Sequence, residues 1–129
     1  MCIRDRGNPV LQASASGEVY IGKSPQSLYT TAVISSTTAN ISQSIFGLST
    51  SSYGGVFVDY TAHSGSNARA GSIMSVWSGS SINFTETTTT DIGNTSNLLM
   101  QVAISQSQAQ VQSYATTAGY NIKTIIRSI

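Results

Sequence analysis

The tightest constraint on this chain is the stretch that begins at Val56. Val56, Val58, Tyr60 and Ala62 alternate with Phe57, Asp59 and Thr61, the period of two that only a β-strand places on opposite faces. His63-Ser64-Gly65-Ser66-Asn67 follows and reads as a turn by composition. A second strand runs from Ala68 to Ser78, setting Ala70, Met74 and Val76 opposite Arg69, Gly71, Ile73 and Trp77. A third is predicted from Ser81 to Glu86, with Ile82 and Phe84 on one face. Leu98, Met100, Val102 and Ile104 mark a fourth, and Ala109, Val111 and Tyr114 a fifth. Tyr120, Ile122 and Ile126 mark the last. Short strands at regular spacing with polar turns between them predict an all-β antiparallel sandwich, jelly-roll-like in type.

Composition agrees with that reading. Val, Ile and Thr supply 36 of the 129 residues, whereas Leu, Glu and Lys supply 9. Branching at Cβ stiffens a side chain and suits a pleated surface, while the scarce residues are the straight-chain helix formers. Only 9% of residues are charged and the net charge is +1. That leaves no basic footprint for nucleic acid and no polybasic face for anionic lipid. The longest apolar runs, such as Val56-Phe57-Val58 and Leu98-Leu99-Met100, are far too short for a membrane-spanning helix.

The region before Tyr53 is organised differently. Met1 to Arg6 holds three of the eleven charged residues and the only cysteine, Cys2, before composition changes at Gly7. This hexapeptide reads as translated sequencing adapter, so the natural chain is expected to start further upstream. Residues 7–52 consist of short apolar–polar alternations broken by Gly17, Gly22 and Pro25, with a Ser/Thr-rich run carrying Ile41, Ile45, Phe46 and Leu48. Such segments bury little alone and need neighbours. The expected division is therefore 1–6 as artefact, 7–52 as short β segments of a shaft or linker, and 53–129 as the sandwich.

Few residues are equipped for chemistry. His63 is the sole histidine and Asp59 lies four residues before it, a spacing of about 13 Å along a strand; no Gly-x-Ser-x-Gly elbow accompanies them. Outside the first six residues the carboxylates are Glu18, Asp59, Glu86 and Asp91, and nothing in the pattern builds the cleft that paired acids need. No catalytic residue, metal site or cofactor is expected. In the first hairpin, a turn from His63 to Asn67 places Asp59 and Arg69 diagonally on one face, which predicts a structural ion pair. Gly71 fits a point where an aromatic ring or another backbone comes close. Tyr53 and Trp77, with His63, Asn67 and Asp91 in the turns, are the candidate ligand contacts, because an aromatic ring presents an apolar body and a polar tip.

Val56-Phe57-Val58-Asp59-Tyr60-Thr61, then Arg69-Ala70-Gly71, the Glu86 to Asp91 loop rich in Thr, and the closing Lys123-Thr124-Ile125-Ile126-Arg127-Ser128-Ile129 resemble a C-terminal domain of bacteriophage tail fibres and other virion structural proteins. Gly17 to Pro25 is similar to a phrase found in fibre shafts. The resemblance implies a non-enzymatic β-sandwich on a virion appendage, a homotrimer, with a host-surface glycan or protein as possible ligand and no nucleic-acid or membrane partner. A carbohydrate-binding module of a bacterial adhesin, or the non-catalytic end of a polysaccharide depolymerase, is the alternative.

Overall fold

The computed structural model describes residues 2–5, 8–22 and 27–129, with side-chain environments from Leu11 onward. Eleven strands and no helix occur among them: β1 (Cys2–Asp5), β2 (Asn8–Ala13), β3 (Val19–Ile21), β4 (Ser27–Ile34), β5 (Ser42–Ser49), β6 (Gly55–Ser64), β7 (Asn67–Ser78), β8 (Ser81–Thr88), β9 (Leu98–Ser105), β10 (Gln108–Ala115) and β11 (Asn121–Ser128). They form two antiparallel sheets. The large one has the order β1-β2-β3-β4-β11-β6-β7-β8, and the small one β5-β10-β9. The expected all-β sandwich is the observed architecture.

Three of the hairpins close through two residues, and the turn chemistry explains why. Ser64 pairs with Asn67 around Gly65-Ser66, and Ser78 pairs with Ser81 around Gly79-Ser80. Gly65 and Gly79 have φ of +57° and +60°, and a glycine at the first central position is what a type II′ turn demands. The third turn, Gln106-Ser107 between β9 and β10, has φ of +52° and +62° at residues that carry side chains. Both central residues there sit in the left-handed region that L side chains rarely adopt.

Alternation then sorts the side chains. Val56, Val58, Tyr60 and Ala62 of β6 face inward with Ile73 and Trp77 of β7, and Ile122 and Ile126 of β11 join them. Leu98, Met100 and Val102 of β9 and Ala109, Val111 and Ala115 of β10 approach from the small sheet. Each fully buried Ile or Val contributes roughly 1.5–3 kcal/mol. Tyr114 instead lies on the outward side of β10, since it shares parity with Gln110 and Gln112, while Ser113 faces the core. In β5 the register slips between the partners of Val111 and Gln112, so that Ile45 has no opposite residue. That bulge lets neighbouring Ile45 and Phe46 both pack against the core, which is why this segment shows no clean alternation.

The boundary expected after Ser52 is displaced. β4 pairs with the last strand, Leu28 opposite Ser128 through to Ile34 opposite Ile122, and Leu28 is buried in the same core. β5 supplies one edge of the small sheet, and its Leu48 is buried too. Residues 27–49 therefore belong to the sandwich rather than to a shaft, because β11 and β10 each leave a ladder side that only these strands fill. Cys2–Asp5 pairs with β2 in the large sheet. Lys23, Ser24 and Pro25 of the shaft-like phrase lie outside the described residues, as do Met1, Arg6 and Gly7.

Candidate functional site

The predicted Asp59–Arg69 ion pair does not form. Asp59 is opposite Ser72, whose hydroxyl donates to Asp59 Oδ1 at 2.6 Å, while Arg69 is opposite Ala62 on the inward side. The two-residue turn at Gly65-Ser66 shifts the pairing by one position relative to a five-residue turn, and a one-residue shift moves a side chain to the other face. Arg69 thereby enters a polar cluster at one end of the sandwich. Its Nε donates to the Tyr60 hydroxyl at 3.1 Å, and that hydroxyl donates to Glu86 Oε2 at 2.6 Å. Its two terminal nitrogens reach Thr95 O and Oγ1, both at 3.4 Å, and Leu98 O at 3.2 Å. Tyr60 thus stands between a cation and an anion that do not touch. Burial first, then the bond to Glu86, pushes its pKa far above the usual tyrosine value.

This cluster fastens residues 89–97, which carry the chain from the large sheet to the small one. Thr95 is fully buried, and its N–H donates to Asp91 Oδ2 at 2.9 Å. The Thr95 hydroxyl, then that backbone bond, hold the Asp91 carboxyl below the ordinary carboxylate range. Asn67 Oδ1 accepts from the Asn94 N–H at 3.0 Å, and Tyr120 donates to Asn97 Oδ1 at 2.5 Å. Gly71 lies directly opposite Tyr60, and a Cβ on it would fall 2.7–2.8 Å from three Tyr60 atoms. The close approach predicted at Gly71 is the Tyr60 ring, seated over a bare backbone.

The candidate ligand contacts do not converge. Trp77 is buried and its Nε1 donates to Tyr53 O at 2.6 Å, beside the start of β6. Tyr53 is half-buried against the core. His63, Asn67 and Asp91 are at the opposite end of the hairpin; His63 is exposed, and the other two are taken up in holding the loop. Among the described residues no three His, Cys, Asp or Glu side chains gather as a metal set.

The outer sheet faces are more distinctive and were not expected from the sequence. Reading across the ladders, Tyr29, Arg127, Phe57, Met74 and Thr85 form one outward row. The next holds Thr31, Ile125, Asp59, Ser72 and Thr87. Val33, Lys123, Thr61 and Ala70 make a third. The Arg127 guanidinium lies over the Phe57 ring, 5.0 Å from its centre. Two hollows occupy this face, about 860 Å³ around Asp59, Thr61 and Lys123 and about 520 Å³ around Phe57, Met74 and Val76. Met74 is 58% exposed, Val76 62% and Val33 57%. The outer face of the large sheet thus exposes Tyr29, Val33, Ile125, Met74 and Val76 on β4, β11 and β7, interspersed with the charged Arg127, Lys123 and Asp59. Phe57, Met74 and Val76, standing at the polar phase of their strands, were the available signal. The small sheet's outer face is the reverse, a neutral array of amides and hydroxyls. Set against known proteins, the chain matches no family model, and no curated protein matches it either.

Proposed function

We propose that the chain is a non-enzymatic structural module of a phage virion appendage, a tail fibre or similar, that assembles as a homotrimer and contributes to host-surface recognition. The observation that carries this reading is the set of large apolar side chains, Tyr29, Val33, Ile125, Met74 and Val76, left exposed on the outer face of the large sheet beside Arg127, Lys123 and Asp59. Exposed apolar side chains gathered on one face and interspersed with polar residues mark an association site. Four strands of about eight residues span roughly 500 Å² of flat sheet before side-chain relief, of the order that an interface burying about 800 Å² per partner needs. Three copies turned with these faces inward bury the Tyr29–Arg127–Phe57–Met74 row around one axis. The resemblance of Val56–Tyr60, Arg69–Gly71 and the closing strand to fibre domains supports the same reading.

Sedimentation equilibrium of the full chain tests it. A stable trimer is expected, and Met74→Lys, at an exposed position, should dissociate it without unfolding the monomer. A monomer at every concentration would overturn the proposal and favour a carbohydrate-binding module of an adhesin or depolymerase.

A further inference from the structure

We infer that the outer face of the small sheet is a binding surface for uncharged glycans, built on Gln101, Gln110, Gln112 and Tyr114. The inference rests on the reading of the chain as a module that meets a cell surface, and it names the ligand class and the place. β10 carries Gln at 108, 110 and 112, each outward, while Ala109, Val111 and Ser113 face the core. Gln112 is directly opposite Gln101, and Gln110 is opposite Ala103 on one side and Gly47 on the other. Tyr114, two residues beyond Gln112, is half-buried between Ser42 and the exposed Leu99.

The amides are held in order. Gln101 Nε2 donates to Gln112 Oε1 at 3.0 Å, and Gln112 Nε2 donates to Gln110 Oε1 at 2.9 Å. A carboxamide has two N–H donors and a carbonyl with two lone pairs, so each internal bond leaves donor and acceptor capacity at the surface. A row that offers both, at fixed orientation, suits neighbouring hydroxyls, each of which donates and accepts at once. Orientation by side-to-side bonds also reduces the ordering cost of binding. Across from Gln110, Gly47 adds no side chain to obstruct the row; the Gln108 amide lies beside it, its Oε1 3.1 Å from where a Cβ would stand. Tyr114 and Leu99 add an apolar platform next to the polar row, which suits the C–H face of a pyranose ring.

Charge selects among ligands. The ladder partners across this face are Ser, Gln, Gly, Ala, Leu and Tyr, with no carboxylate and no basic group. A phosphorylated or uronic-acid ligand would lose its hydration here without gaining a counter-charge. The large sheet, by contrast, carries Lys123, Arg127 and Asp59 outward.

The test is binding of the full chain to an array of neutral hexose and N-acetylhexosamine oligosaccharides printed beside sialylated and uronic-acid ones, followed by calorimetry with the best neutral ligand. Retention of neutral glycans is expected, with affinity insensitive to NaCl because no ion pair is made. Gln112→Ala and Tyr114→Ala should each weaken binding by about tenfold, the loss of one or two neutral contacts. Gln101→Ala, on the edge strand, provides a second variant whose fold is reported by Trp77 fluorescence. Ser66→Ala, exposed in the β6–β7 turn and outside both sheet faces, should bind like the parent. Binding confined to acidic glycans, no binding at all, or undiminished binding by the Gln112 and Gln101 variants would each overturn the inference. Oligomeric state is read separately. A trimer that binds no glycan overturns only this inference, and a monomer that binds neutral glycan through these residues overturns only the assembly.

Discussion

Gly71→Ala is the sharpest perturbation that the geometry offers. The new Cβ would stand 2.7–2.8 Å from Tyr60 Cε1, Cζ and Oη, against a preferred carbon separation of about 3.5–4.0 Å. The ring must retreat by about 1 Å, yet it is buried and tied through its hydroxyl to Glu86 and Arg69. Overpacking costs about 1–3 kcal/mol, and weakening hydrogen bonds to charged groups about 1.5–3 kcal/mol. Ala recovers about 0.5–1 kcal/mol because glycine weakens a strand interior. The expected net is a loss of about 3 kcal/mol, or roughly 10 °C in Tm for a chain of this size. Urea unfolding followed by Trp77, the one tryptophan, measures it. The mechanism is checked by repeating the change in Tyr60→Ala, which itself costs about 3–5 kcal/mol. In that background Gly71→Ala should be neutral or stabilising. A cost below about 1 kcal/mol with Tyr60 present, or an equal cost without it, would refute the reasoning.

Two further predictions concern pH and turn chemistry. Tyr60 has a folded pKa raised by burial and by Glu86, so its contribution to stability is complete below the unfolded value of about 10 and is lost as pH rises beyond it. Tyr20, whose hydroxyl donates to Glu18, is pushed up to about 12 and acts in the same direction. Alkaline urea titrations should show stability falling from about pH 10 upward, less steeply in Tyr60→Phe. At the β9–β10 turn, replacing Gln106-Ser107 by Asn-Gly relieves two left-handed residues and should stabilise the chain by about 1–2 kcal/mol in the same urea assay.

What was legible in the sequence is what depends on neighbours along the chain. The strands from β6 to β11 and most of their inward faces follow from local alternation, although Tyr114, expected with Ala109 and Val111, faces outward. The close approach at Gly71 was legible for the same reason, since a glycine amid strand residues marks a missing side chain. The Asp59–Arg69 pairing was not, because it depended on whether the turn spans two residues or five, and a one-residue difference in register flips every side chain. The membership of β4 in the large sheet was hidden more deeply. Leu28 pairs with Ser128 at the far end of the chain, and alternation fixes the face of a strand without naming its neighbour. Thr95 gave no signal as a buried anchor, because its hydrogen-bond partner Arg69 sits on the inward face only in the observed register.

The two outer faces show why a strand's second residue matters as much as its first. In β6 and β7 the outward positions hold Phe57, Met74 and Val76; in β10 they hold Gln108, Gln110, Gln112 and Tyr114. Both sheets contribute apolar side chains to the core from their inward positions, so core formation does not require this difference. Stacked sheets lie about 10 Å apart, and the two outer faces point in opposite directions. A partner on the large sheet therefore leaves the amide row uncovered. The reverse arrangement is chemically poor: amides buried against a copy of the chain would need every donor and acceptor matched, whereas Met74 and Val76 lose nothing when water leaves. The proposed division, assembly through the large sheet and recognition through the small one, puts Phe57, Met74 and Val76 where water leaves and requires Arg127, Lys123 and Asp59 on that face to find charged or polar partners.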